Sequence, residues 1–204
     1  MSSSLHKDNA NENKKTTQTL FVSFAGHDKM FGQIQRFEFI NFFNKYFNKI
    51  DRHFYIDVHT NSYHNGIEGI STNIDETVEY LRKDIENYKN VVFFGVSSGG
   101  YAAILFGSLL NIQSVVAFIP QTIRRSKIVD EKYRDISLYI NNTTRYFLYG
   151  DTSISDSQHM HHISHCERIA HHSNVYLTKK EKFNLKEMRD SGELYKIIYH
   201  VLTR

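Results

Sequence analysis

Three places in the chain hold residues suited to chemistry. Gly95-Val96-Ser97-Ser98-Gly99-Gly100 sets a serine among glycines. Asp151 stands two residues past the apolar run Arg145–Tyr149. His159, His161, His162, His165, His171 and His172 place six of the twelve histidines within 14 residues. A hydroxyl, an imidazole and a carboxylate are the parts of acyl transfer. The ring takes the serine proton, the carboxylate orients the ring, and the oxygen attacks a carbonyl. Such a set is defined by geometry and not by chain order. His162, 11 residues beyond Asp151, is the expected base, with His161 next and His165 third. If residues 156–170 form a helix, His159, His162, Cys166 and Ile169 share a stripe, which favours His162. The competing reading is that most of these histidines lie on the surface.

These residues need elements to hold them. Val91-Val92-Phe93-Phe94 is a run of strand formers, and Tyr101 to Gly107 continues with helical spacing. Strand, tight turn and helix form a nucleophile elbow, with Ser97 at the apex in a strained conformation. Gly95 and Gly99 remove side chains where strand and helix nearly touch, and Gly100 lets the helix approach the sheet. The Ser98 N–H falls at the helix N-terminus, where unpaired donors and the dipole favour negative charge. An oxyanion would sit there. A glycine-rich turn without chemistry is the alternative.

Elsewhere strands and helices alternate. Thr19–Phe24 is a buried strand and Gln33–Asn48 a helix. Phe54–Val58 is a strand closed by Asp57, followed by a polar loop, His59–Gly69. Ser71 or Thr72 caps a helix running to about Tyr88. Ser114–Ile119 is a strand ending at Pro120-Gln121-Thr122, and Ile123–Asn142 is a basic, polar excursion. Arg145–Tyr149, a helix over Asp156–Ala170, the strand Asn174–Thr178 and a helix over Leu185–Leu202 complete the order. The strands are apolar throughout, so the expected fold class is α/β: a three-layer sandwich around a mostly parallel sheet. Residues 1–17 are polar and read as a disordered tail, with one domain over 18–204.

Composition narrows the functions. A net charge of +3, spread along the chain, gives no case for nucleic-acid binding. The single cysteine, Cys166, excludes an internal disulfide and suits a reducing compartment. No apolar run reaches the ~18 residues of a membrane span and no secretory h-region opens the chain, so a cytoplasmic location is expected. His161 and His165, like His162 and Cys166, have the i, i+4 spacing of a zinc chelate, but no further ligand stands nearby, and no metal is assigned.

At the residues after each strand, Ser97 and Asp151 above all, the chain resembles the α/β-hydrolase superfamily, in a reduced form over roughly Thr19 to Leu202. More narrowly, GVSSGGYAAILFG followed by VVAFIPQT is similar to hydrolase-like proteins associated with bacterial surface-polysaccharide biosynthesis. The resemblance implies a serine-dependent acyl hydrolase or acyltransferase, without a cofactor, acting on a small-molecule or glycan ester. Ser97 would be the nucleophile, Asp151 the triad acid, and Ser98 with Ala25 or Gly26 the oxyanion donors. His27 and Gln121 would line the pocket. One departure stands out. The superfamily's histidine follows the last strand, where this chain reads Lys179 to Leu185 with Phe183 in that place. Either the base comes from the cluster at 159–172, or the chain is a non-catalytic binding or scaffolding protein.

Overall fold

The computed structural model describes residues 4–8, 18–125 and 130–203. Its centre is one seven-stranded sheet of order β1-β3-β2-β4-β5-β6-β7. In chain order the elements are β1 (Leu5–Asp8), β2 (Thr19–Phe24), α1 (Arg36–Tyr46), β3 (Asp51–Tyr55), α2 (Ile74–Ile85) and β4 (Asn90–Val96). They continue with α3 (Ser98–Leu110), β5 (Ser114–Phe118), β6 (Arg145–Asp151), α4 (Ser164–Glu167), β7 (Val175–Lys180), α5 (Leu185–Asp190) and α6 (Glu193–Leu202). Only β1 runs antiparallel, against β3; every other pairing is parallel.

The apolar strands require cover on both faces, and side chains alternate between them. Val22, Phe24, Phe93, Val115 and Leu148 join one buried cluster with α2 and α3. Phe21, Phe54, Phe94, Val116 and Phe147 join the other, with α1, α5 and α6. The result is the expected three-layer α/β sandwich. Among the described residues, no helix is long and apolar enough to cross a membrane.

Several boundaries differ from the sequence reading, each for a physical reason. Leu5–Asp8, assigned to a disordered tail, forms β1. Lys7 pairs there with Asp84, whose carboxylate also accepts from the Tyr55 hydroxyl at 2.8 Å and lies 2.6 Å from His53 Nδ1. The rest of that tail lies outside the described residues. The strand expected at Phe54–Val58 begins at Asp51, because polar Asp51, Arg52 and His53 are buried with partners. Residues 156–170 form no continuous helix. His159, His162 and His165 each donate a backbone N–H to the carbonyl three residues earlier, giving successive turns before the single turn of α4. The expected C-terminal helix is two helices, separated at Ser191 and Gly192, the latter at φ 80°.

Candidate active site

Ser97 joins β4 to α3 with φ 56° and ψ −120°. For a residue with a Cβ this is a strained conformation, costing about 1–3 kcal/mol. The surroundings enforce it. The Ser97 N–H donates to the Phe118 carbonyl at 3.0 Å, and its carbonyl accepts the Tyr101 N–H at 3.0 Å. The glycines permit the crossing: a Cβ on Gly95 would lie 2.0 Å from the Gly99 oxygen, and one on Gly99 would lie 2.2 Å from the Phe24 oxygen. Ser97 makes no side-chain cap to its helix, which leaves the hydroxyl free to face a cleft. That cleft is about 450 Å³, with Ser97, His161, Asp151, Ile119, Arg124 and Phe183 in its wall.

The Ser97 Oγ lies 2.7 Å from His161 Nε2. His162, favoured from the sequence, does not reach it; its Nδ1 lies 2.9 Å from the Ser164 hydroxyl. The reason is local. Residue 162 bridges to Asp151 between these turns, and its ring is taken up by Ser164, whose N–H Nδ1 also accepts at 3.2 Å. His165 is buried elsewhere, its Nδ1 accepting the Thr122 N–H at 3.1 Å. His159 sits beside His161, ring centroids 5.4 Å apart, and accepts the His161 N–H at its Nδ1.

Asp151 ends β6 and is buried. The expectation that it accepts from the base's ring is not met. Oδ1 accepts the Ser153 N–H at 2.8 Å and hydroxyl at 2.6 Å; Oδ2 accepts the Phe183 N–H at 3.0 Å. Burial pushes this carboxyl up, but those hydrogen bonds and the field of His161 outweigh it, and it titrates below the usual range. Its field favours the charged form of His161. Burial, followed by His159, acts the other way and holds His161 below the ordinary histidine value. The shift favours the neutral ring, the form whose Nε2 can accept a proton.

Two expected oxyanion donors are occupied. The Ala25 N–H donates to the Tyr55 carbonyl at 2.9 Å and the Gly26 N–H to the Met30 carbonyl at 2.8 Å. Among the described residues none accepts from the next N–H, that of His27, which lines the cleft. Ser98 opens α3, so its N–H has no intrahelical acceptor. Gln121 is buried in the cleft wall. Phe183, where a histidine was expected, packs its ring on Phe118 at 5.4 Å, and its N–H donates to Asp151. Asp57 is a loop cap, accepting the His59 and Tyr63 N–H groups. Among the described residues no three His, Cys, Asp or Glu side chains converge as a metal site.

Arg124 and Ile119 escaped the sequence reading. Arg124 had one signal, its place four residues beyond the proline that ends β5. Ile119 had none: a β-branched residue at φ 39° is visible only in three dimensions.

No family model matches the sequence, and no curated protein matches it either. Solved structures do match. A lipase-esterase related protein from Clostridium acetobutylicum aligns over 98% of this chain and 100% of its own, with a TM-score of 0.61 at 13% identity. The capsule O-acetyltransferase of Neisseria meningitidis serogroup A aligns over 89% of each chain, with a TM-score of 0.60 at 14% identity. Est1E from Butyrivibrio proteoclasticus aligns over 98% of this chain and 94% of its own, with a TM-score of 0.57 at 10% identity. At such identities the likeness is one of fold: the chain has the α/β-hydrolase fold.

Proposed function

We propose that the chain is a serine-dependent acyl hydrolase or acyltransferase acting on a small-molecule or glycan ester. One observation carries this reading: a hydroxyl on a strained turn lies 2.7 Å from the Nε2 of an imidazole, at the wall of a cleft. His161 takes the Ser97 proton as Oγ bonds to the ester carbon. The carbonyl oxygen becomes an oxyanion, facing the Ser98 and His27 N–H groups. The intermediate collapses, the C–O bond to the alcohol breaks, and His161 returns the proton to the leaving oxygen. Water or a sugar hydroxyl then attacks the acyl-serine by the same steps reversed. Asp151 acts through its field, stabilising the imidazolium without a hydrogen bond to it. The fold neighbours support both acceptors, since one is named an esterase-related protein and another an O-acetyltransferase.

A fluorophosphonate probe followed by intact-mass measurement tests the reading. One adduct is expected on the wild type and none on Ser97→Ala. A wild type that takes no adduct would leave a hydrolase-fold binding or scaffolding protein.

A further inference from the structure

Arg124 is the feature of the cleft that the acyl-transfer steps leave unused. Its side chain lines the same wall as Ser97 and Gln121. Nη1 donates to the buried Gln121 Oε1, a neutral acceptor. Among the described residues, Nε is enclosed without a partner and no carboxylate pairs with the guanidinium. The backbone is pinned on both sides: the Arg124 N–H donates to the Arg134 carbonyl at 2.8 Å, and its own carbonyl accepts Arg134 Nη1 at 2.9 Å. The carboxylates around the cleft are engaged. Asp151 has both oxygens filled, and Asp28, exposed, accepts the Met30 N–H. Asp57, whose field reaches Arg124, is held by its own loop.

A guanidinium remains charged, and one taken out of water is ordinarily paired. Here the cation is fixed in place and half-buried, its only side-chain partner among the described residues is neutral, and it stands in the cavity that holds Ser97. Its planar fork matches a carboxylate or phosphate.

We propose that Arg124 is the anion-recognition residue of this cleft, so that the substrate carries a carboxylate or phosphate group within reach of its ester bond. This rests on the reading of the Ser97 cleft as the substrate site, and it names the class of substrate that site takes. Neutral alkyl esters would be poor substrates, whereas an acidic acyl group or an acidic or phosphorylated alcohol would be held with its ester at Ser97.

Calorimetric titration of Ser97→Ala tests the proposal without turnover. Monomethyl succinate and monomethyl phosphate supply the two anions, and dimethyl succinate is the neutral control. The anions should bind roughly 10- to 100-fold tighter than the diester, as expected for a charge-assisted contact. Adding Arg124→Gln should erase the difference, and Arg124→Lys, a point charge without the fork, should restore part of it. Equal affinities for anion and diester, no measurable binding of either anion, or a preference that survives Arg124→Gln overturns the proposal. The first comparison uses Ser97→Ala alone, so it stands even where Arg124→Gln does not fold. Probe labelling of the wild type reports on catalysis separately. An anion preference in a protein that is never labelled sinks the chemistry and leaves the recognition; labelling without the preference does the reverse.

Discussion

The strain at Ser97 has a measurable sign. Its φ of 56° costs any residue with a Cβ about 1–3 kcal/mol, and glycine escapes that cost. Glycine in turn loses more backbone freedom on folding than alanine does, by about 0.4–1 kcal/mol. Ser97→Ala and Ser97→Gly both remove the hydroxyl and its contact with His161, so that contact cancels between them. Ser97 makes no side-chain cap, so capping enters little. The remainder favours Ser97→Gly over Ser97→Ala by about 1 kcal/mol, equivalent to roughly 2–4 °C in midpoint for a chain of this size. Guanidinium denaturation of the two variants, followed by circular dichroism, measures it. In an ordinary helix or strand the order is the opposite, with glycine the weaker by about 0.5–1 kcal/mol. Finding Ser97→Ala as stable as Ser97→Gly, or more so, would refute the strained elbow.

Two further outcomes follow from the site. His161 must be neutral to accept the Ser97 proton, and its pKa is lowered by burial and then by His159. Ester turnover should therefore hold down through the usual histidine range and fall on an acid limb centred below 6.5, read from kcat/KM against pH; a limb centred above 6.5 would contradict the assignment. Gly99→Ala places a Cβ against backbone at 2.2 Å, whereas Gly100→Ala meets the Pro120 side chain at 3.1 Å. Overpacking of the first kind costs about 1–3 kcal/mol or more, so Gly99→Ala should unfold at clearly lower denaturant than Gly100→Ala, and equal midpoints would argue against the close crossing.

How much could be read beforehand differed from element to element. Thr19–Phe24 and the Ser97 turn were legible because local composition alone dictates them: an unbroken apolar run, and glycines where two backbones meet. β3 was misplaced because Asp51, Arg52 and His53 look like loop residues until their partners, Tyr88, the Phe47 carbonyl and Asp84, are brought up to them. β1 was missed for the same reason, since Lys7 meets Asp84 across 77 positions of sequence. At the site, the serine and the histidine cluster were visible, but the choice between His161 and His162 was not. A helical period over residues 156–170 favours His162, whereas the chain there runs in successive turns and brings His161 to Ser97. The occupied N–H groups of Ala25 and Gly26, and an Arg124 guanidinium with no carboxylate partner among the described residues, are tertiary facts without a local signature.

The base assignment can be tested by comparing His161→Ala with His162→Ala for turnover of a short-chain nitrophenyl ester, with folding checked by circular dichroism. Removal of a general base costs about 10²–10⁴-fold. His161→Ala should lose that much, and His162→Ala should stay within a few-fold of wild type. Full turnover in His161→Ala, or its loss in His162→Ala alone, would contradict the pairing of Ser97 with His161.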